Sequence, residues 1–587
     1  MIRCANSLAH PGLFLAALSM VACPAAVSAQ TASQITPKSF APPIEGGLGG
    51  GLAVGASPGL DTPPGAEKLF VKLRDVEVEG GFPGLAGAAA DIRASLMGKQ
   101  ISGADIFAAA RALEAAYANA GYVLVRVTLP PQKLVNGSKL RLVVVDGFIE
   151  RIEVEDVPER VRRHIATLLA PLTGQRGLML HDLERRILLA GDVPGVILRS
   201  TLAAGTQPGA TVLVIDAKYQ PLQGTLSADN SLANSLGRYQ VTIGEDFNSV
   251  FGFGELAYIR ATGDPIAGTN GFLSDYPRNR ILAAGFILPI GIDGMTFNAE
   301  GTQARTAPIS TTPFQSADRF ERLSLRLRYP WLRARDYNFA SQIAFDAQDE
   351  AQSILAQPTN LPLSLDRLRI IRVTNEGNYL SPWGGTFSGS LTASFGLDAL
   401  GARTAADASA ILPLSRQGAD ANFTKLDGTL GYSQTLAEHL TTSLFAHAQT
   451  AFGSVMEHAE QIGIAGPGSL SAFDSGTLQG DSGAVVRGEL ASPFVLPANF
   501  FPAGVADVGI VAAPYVFGAL GEVFFQDPTV LEPSHVRAAS YGTGVRFNGA
   551  RAGSLSNGSL TLEFSRQARS DGQPLDNRLN LVSTMKF

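Results

Sequence analysis

A chain of 587 residues is too long for one ordinary soluble core, so two or more domains, or one large barrel with appendages, are expected. Only 17% of its residues are charged and 63 are glycine, a balance suited to strands facing lipid, while the formal charge of −6 argues against nucleic acid as a bulk partner. No run of about eighteen uncharged apolar residues follows the N-terminus, which disfavours a helical membrane protein; such a chain crosses a bilayer only as a closed sheet.

Residues 1–29 read as a secretory signal: Arg3, an apolar stretch from Leu13 to Ala26, and Val27-Ser28-Ala29 as a small-residue cleavage site before Gln30. Met20-Val21-Ala22-Cys23 departs from a lipoprotein box, since Met leads it and Pro24 follows. Cys4 and Cys23 are the only cysteines, so processing leaves no thiol to be trapped in an oxidising compartment. Residues 30–68 are rich in Gly, Pro and Ala and predict a flexible tether; that composition argues against a plug helix without deciding it.

The texture changes at Leu69. Phe70–Leu73 and Val76–Val78 read as strand, and Ser102-Gly103-Ala104-Asp105 resembles a capping box. Ile106, Ala110, Leu113, Tyr117 and Ala120 then share one helical face closed by Gly121. Strands follow at Tyr122–Val127 and Leu140–Val145, so residues 69–146 form a small α+β unit. The pattern recurs in residues 147–218, with a strand at Phe148–Val154, helices at Pro158–Leu169 and His181–Leu189, and strands at Val196–Leu202 and Ala210–Ala217.

From Leu222 to Phe587 alternating strands are separated by polar, glycine-rich turns. Leu323, Leu325, Leu327 and Tyr329 alternate with Arg322, Ser324, Arg326 and Arg328, which predicts a basic face in a water-filled lumen because Arg at the lipid midplane costs about 2–4 kcal/mol. In the last strand Leu579, Leu581, Met585 and Phe587 share one face, opposite Asn580, Thr584 and Lys586, and the chain stops on an aromatic. About 366 residues accommodate sixteen strands of about ten residues without requiring that number.

Tyr117, Gly121-Tyr122, Leu129-Pro130, Gln132 and the turn Val145–Ile149 resemble the first polypeptide-transport-associated (POTRA) domain of the two-partner secretion transporters, the haemolysin secretion/activation family. Asp192–Val196 with Pro208-Gly209 resembles the second, and Leu226–Ser231 leading to Gly237-Arg238-Tyr239 resembles the first barrel strand and hairpin. The resemblance implies sixteen antiparallel strands behind two POTRA domains, in a Gram-negative outer membrane. It implies a secreted exoprotein as substrate, received unfolded by a surface including Tyr117, Gly121, Tyr122, Pro130 and Gln132, and a barrel-assembly machinery that reads Phe587 as signal.

The family folds a long extracellular loop into the barrel, with a Val-Arg-Gly-aromatic tip whose arginine pairs with an aspartate in a Phe-x-Asp-x-Gly wall motif. The flanks Glu460-Gln461, Gly463–Gly468 and Gly480–Gly483 place that loop at about residues 463–483, and the tip reads Leu470-Ser471-Ala472-Phe473. The wall reads Phe517-Gly518-Ala519-Leu520-Gly521. Ser471 and Ala519 thus stand where the family has Arg and Asp. A rival alignment takes Val486-Arg487-Gly488 as the tip; its place after Gly480–Gly483 fits the following strand better.

No phosphate loop, nucleophile elbow or zinc spacing is present, so neither an enzyme nor a cofactor is expected. The seven histidines are scattered without a carboxylate partner pattern, and Asp346, Asp349 and Glu350 suggest a solvated turn. The alternatives left open are a barrel-assembly factor of the same superfamily, a passive solute porin and an adhesin barrel; the α+β region speaks against the last two.

Overall fold

The computed structural model describes residues 30–43, 60–266, 268, 270–310, 314–356, 358–497, 508–530, 532–551, 553–573 and 575–587. The expected signal segment, and residues 44–59 of the expected tether, lie outside the described residues.

Two α+β units of the same topology come first. Each has a three-stranded sheet whose last strand is central, parallel to the first and antiparallel to the second. In the first, Asp75–Glu79 and Arg126–Thr128 flank Lys139–Val145; in the second, Phe148–Glu153 and Val196–Ala204 flank Ala210–Tyr219. The helix Gly103–Asn119 begins with the anticipated capping box, Ser102 Oγ accepting from Asp105 N at 3.2 Å and Asp105 Oδ2 from Ser102 N at 2.8 Å. Its buried face is Ile106, Ala109, Ala110, Leu113 and Tyr117, and Gly121 ends it at φ +97°, which an L side chain resists. The strand expected from Tyr122 starts only at Arg126, because Tyr122 packs edge-on against Phe82, 4.9 Å between ring centroids.

Sixteen antiparallel staves, running from Leu222–Asp229 to Asn577–Lys586, close a barrel. Phe494–Leu496 continues the stave of Ser482–Ala491, since both pair with Val508–Phe524. Period-two alternation sets the faces: Leu323, Leu325, Leu327, Leu579 and Met585 are exposed outward, while Arg322, Ser324, Arg326, Arg578 and Asn580 are buried inward. Asp346, Asp349 and Glu350 occupy no solvated turn. They lie within the 18-residue strand Tyr337–Ile354, where alternation turns Asp346 and Glu350 inward to burial and leaves Asp349 to pair with Arg369 at 2.9 Å.

Beside Arg322 and Arg326 the expected water-filled lumen is occupied by protein, while a cavity lined by Arg326, Arg328, Asn338 and Glu376 stays open next to it. Residues 30–43 run through the lumen with a single 3₁₀ turn at Ser33–Ile35, so this part of the expected tether is pinned. Its backbone explains why: Ala32 N donates to Asp318 at 3.0 Å, Ser33 N to Glu350 at 3.1 Å and Phe40 N to Glu300 at 2.8 Å. Arg322 and Arg326 donate to the Pro37 and Lys38 carbonyls at 2.9 and 3.1 Å, and both also approach Glu300. Composition could not show this, because the bonds use main-chain groups that any sequence carries. The far end of the expected tether is also held: Leu60 is buried in the first unit and its carbonyl accepts from Arg111 at 2.7 Å.

Candidate functional site

The long segment between Leu440–Thr450 and Ser482–Ala491 folds inward and crosses the lumen. Its near end is fixed by Glu460, fully buried, which pairs with Arg372 and Lys425 on the wall, each at 2.7 Å. Its far end docks on the last strands: Asn580 Nδ2 donates to the Ser471 carbonyl at 2.8 Å, and Ala472 N donates to Ser540 Oγ at 3.1 Å. Asp474 pairs with Arg578, and Ser475 N donates to the Ser231 carbonyl at 2.9 Å, just past the first strand. The loop therefore reaches both strands that form the closing seam. Ala459 and the N-terminal Ile35 and Phe40 pack on one apolar cluster of Ala32, Ile281, Ala304 and Phe320, so loop and N-terminal segment brace each other.

The structure brings the sequence-derived tip and wall together. Leu470, Ala472 and Phe473 share a buried cluster with Ala519, Ile464, Val485 and Val523, and a Cβ at Gly521 would lie 3.3 Å from Leu470. Gly521 thus leaves space for the tip. Phe517 faces inward beneath a guanidinium that belongs to Arg487, 3.7 Å from the ring centroid. Arg487 sits on the wall strand Ser482–Ala491, so Val486-Arg487-Gly488 is not the loop tip.

Sequence reasoning missed the partners of Arg487. It contacts Glu563 at 2.6 Å, Glu489 at 2.7 Å, Ser471 Oγ at 3.1 Å and the Ser469 carbonyl at 3.3 Å. Tyr515 donates to the same Glu563 oxygen at 2.7 Å. The inward register of Glu563 was legible in the alternation around Phe564; its meeting with a residue 76 positions earlier was not. His447 likewise has a carboxylate partner, Asp427 at 2.8 Å, because the two lie on adjacent strands rather than nearby in sequence. Among the described residues no group of three His, Cys, Asp or Glu is placed to hold a metal.

The residues expected to receive substrate mostly build the first unit. Tyr117 is fully buried and its hydroxyl accepts from Phe82 N at 3.0 Å. Gln132 pairs with the Arg141 backbone in both directions, at 2.8 and 2.9 Å, and so extends the sheet as a strand would. Gly121 accepts from Leu180 N at 2.8 Å and joins the two units, while Tyr122 and Pro130 remain partly exposed.

The second unit grips the short turns at one end of the barrel. Asp192 pairs with Arg333 at 2.6 Å, Arg186 with Asp293 at 2.9 Å, and Arg185 donates to the Pro330 carbonyl at 2.9 Å. His164 packs against Gly254, and burial there pushes its imidazole below the ordinary histidine range despite the nearby Glu255. A collar on the short-turn end and an in-folded loop from the long-loop end give the barrel distinct inner and outer sides.

Residues 209–516, more than half of the chain, match the haemolysin secretion/activation proteins ShlB/FhaC/HecB, and residues 71–147 match the ShlB-type POTRA domain. The chain belongs to the haemolysin secretion/activation family. This family consists of outer-membrane translocators for a secreted exoprotein, not enzymes, and the POTRA end of the barrel is periplasmic. The heme/hemopexin transporter protein HuxB of Haemophilus influenzae strain 86-028NP is 21% identical over 508 residues, 85% of this chain and 82% of its own length. CdiB from Escherichia coli has a similar fold, with a TM-score of 0.65 at 18% identity over 96% of this chain and 94% of that one. CdiB from Acinetobacter baumannii gives a TM-score of 0.57 at 14% identity, over 92% and 94%.

Proposed function

We propose that this member of the family exports one large exoprotein as an unfolded chain, and that the structure is its closed state. The observation that carries this reading is the double obstruction: the loop and residues 30–43 both occupy the lumen, and neither is a strand of the wall. The N-terminal segment is held largely by polar contacts, the loop by polar contacts, the Glu460 ion pairs and an apolar cluster at its tip. A sixteen-stranded barrel cleared of both would pass an extended chain but not a folded domain. With no nucleotide site in the sequence, net outward movement would be drawn by folding of the exoprotein outside.

Capture needs a surface that tolerates many sequences. Val196–Ala204 pairs with Ala210–Tyr219 alone among the described strands, so nine residues of the second POTRA unit offer a free edge to an extended chain. Tyr122 and Pro130 of the first unit lie on the expected receiving surface, while Tyr117, Gly121 and Gln132 would act by shaping it. Assembly would use the family's barrel-assembly machinery reading the strand that ends at Phe587.

The test is export of a candidate large exoprotein, co-expressed in cells carrying the full chain or a chain lacking residues 69–217. Loss of export with the barrel still inserted supports the reading; unchanged export overturns the receptor role. A passive porin would keep its conductance in both and export nothing.

A further inference from the structure

Arg487 is 3% exposed at its side chain and is held by the wall itself, through Glu563, Glu489 and the face of Phe517. Arg546 reaches Glu489 at 3.3 Å, so two guanidiniums and two carboxylates form a neutral group on the wall before any loop residue is counted. Towards the loop, Arg487 offers one nitrogen, Nη1, to two neutral acceptors, Ser471 Oγ and the Ser469 carbonyl.

We propose that Arg487 is the positioning residue that latches the loop tip to the wall, so that this lock carries its cation on the wall and takes only neutral groups from the loop. This rests on the reading of the loop as a removable obstruction.

The arrangement has a physical consequence. A lock made of a loop cation and a wall anion must separate a desolvated ion pair when it opens, and leaves an unpaired charge on each side. Here the loop withdraws a hydroxyl and a carbonyl, while Arg487 stays neutralised by Glu563 and Glu489. At this contact, what opening costs is charge-assisted hydrogen bonds that water or a passing chain can replace. The other tip contacts, Asn580 to the Ser471 carbonyl and Ala472 N to Ser540, are neutral as well; Arg578–Asp474 is the ionic tie, and Asp474 is partly solvent-exposed. The exposed wall cluster would then present Arg487 Nη1 to the backbone carbonyls of the exported chain.

The experiment uses the full chain, purified and reconstituted in planar bilayers, with folding checked by heat-modifiable mobility. Arg487→Met should raise open-state occupancy about tenfold and Ser471→Ala about threefold, as expected for losing charge-assisted hydrogen bonds. The swap Arg487→Ser with Ser471→Arg should return occupancy toward the parent, since a tip guanidinium can reach Glu563 from the loop side; a purely structural role for Arg487 gives no such rescue. If Arg487→Met does not insert, Ser471→Ala decides alone. Parental occupancy in Ser471→Ala, or a folded swap no more closed than Arg487→Met, overturns the latch. Conductance is read without exoprotein, so failure of the latch is distinct from failure of export by the parent.

Discussion

Arg487 and Ala519 stand directly opposite each other on adjacent wall strands, yet the guanidinium turns along the barrel to Phe517 and Glu563 instead of across to a partner. On the resemblance-based reading, Ser471 and Ala519 stand where the family has its tip arginine and wall aspartate, and Arg487 Nη1 donates to Ser471 Oγ at 3.1 Å. This geometry makes the two restoring substitutions unequal. Ser471→Arg alone brings a second guanidinium to a site 3.1 Å from Arg487 Nη1 and should destabilise loop docking. Ala519→Asp alone places a carboxylate opposite Arg487 and should be the milder change. The double variant should recover, with a coupling of about 1–3 kcal/mol in a double-mutant cycle on thermal unfolding in detergent. Additive defects would mean that the tip does not face this wall.

The barrel and the paired α+β units were legible because each rests on local period: alternation in Leu579–Phe587, helical spacing from Ile106 to Tyr117, and the capping box at Ser102. The loop was legible through its glycine flanks. The lumen was not. Glu460, Glu300 and Glu563 look like ordinary strand or loop carboxylates until the barrel closes and sets them against Arg372, Arg326 and Arg487. Gln30–Pro43 was misread because its composition suits a solvated tether, and main-chain groups that bond to a wall leave no trace in composition.

Removal of residues 30–43, with the signal segment kept, should leave the barrel folded but leaky. Glu300 would retain Arg322, Arg326 and Tyr258, so no lone carboxylate is created there, while Asp318 and Glu350 would exchange the Ala32 and Ser33 amides for water admitted to the lumen. Larger conductance steps in planar bilayers, with unchanged heat-modifiable mobility, are the expected result. Parental conductance would show that the in-folded loop alone closes the channel.

Asp481 is a buried hub near the outer end of the lumen. It accepts from Arg416 at 2.8 and 3.0 Å, from Met456 N at 3.0 Å, from Gln526 N at 2.7 Å and from Gln461 at 3.3 Å, tying the loop after Gly396 to the in-folded one. Asp481→Asn leaves Arg416, itself 3% exposed at its side chain, with Glu532 as its remaining anionic partner among the described residues. A loss of about 3–5 kcal/mol is expected locally. Protease added to intact cells should then cut within residues 397–423 faster than in the parent.

Acidification should loosen the grip of the second POTRA unit on the barrel. His164 has its pKa lowered by burial in that contact, so the docked form binds fewer protons than the released form. Stability from this group is therefore intact above the unperturbed histidine pKa of about 6.5 and declines as pH falls from there toward the depressed value. Hydrogen exchange at residues 159–169 should speed up over that window, and His164→Gln should flatten the response.

The last residue closes the barrel as part of the ladder. Phe587 N donates to the Gly224 carbonyl at 3.0 Å and Gly224 N to the Phe587 carbonyl at 2.9 Å, and a Cβ at Gly224 would lie only 2.5 Å from the Phe587 ring. Phe587 is 54% exposed, so deleting it forfeits part of the about 1.5–3 kcal/mol that full burial of such a ring brings, modest for a barrel of this size. Under the proposed signal role, insertion should suffer more than stability, because recognition of the end of the last strand would precede closure of the seam. The deletion should thus give low outer-membrane levels of a barrel whose surviving fraction melts within a few degrees of the parent. Gly224→Val should do the reverse: it leaves the terminal signal intact while displacing the ring, so levels stay near parental and the melting point falls. Normal levels of the Phe587 deletion would remove the signal role, and equal effects of the two variants on both readouts would reduce Phe587 to a seam contact.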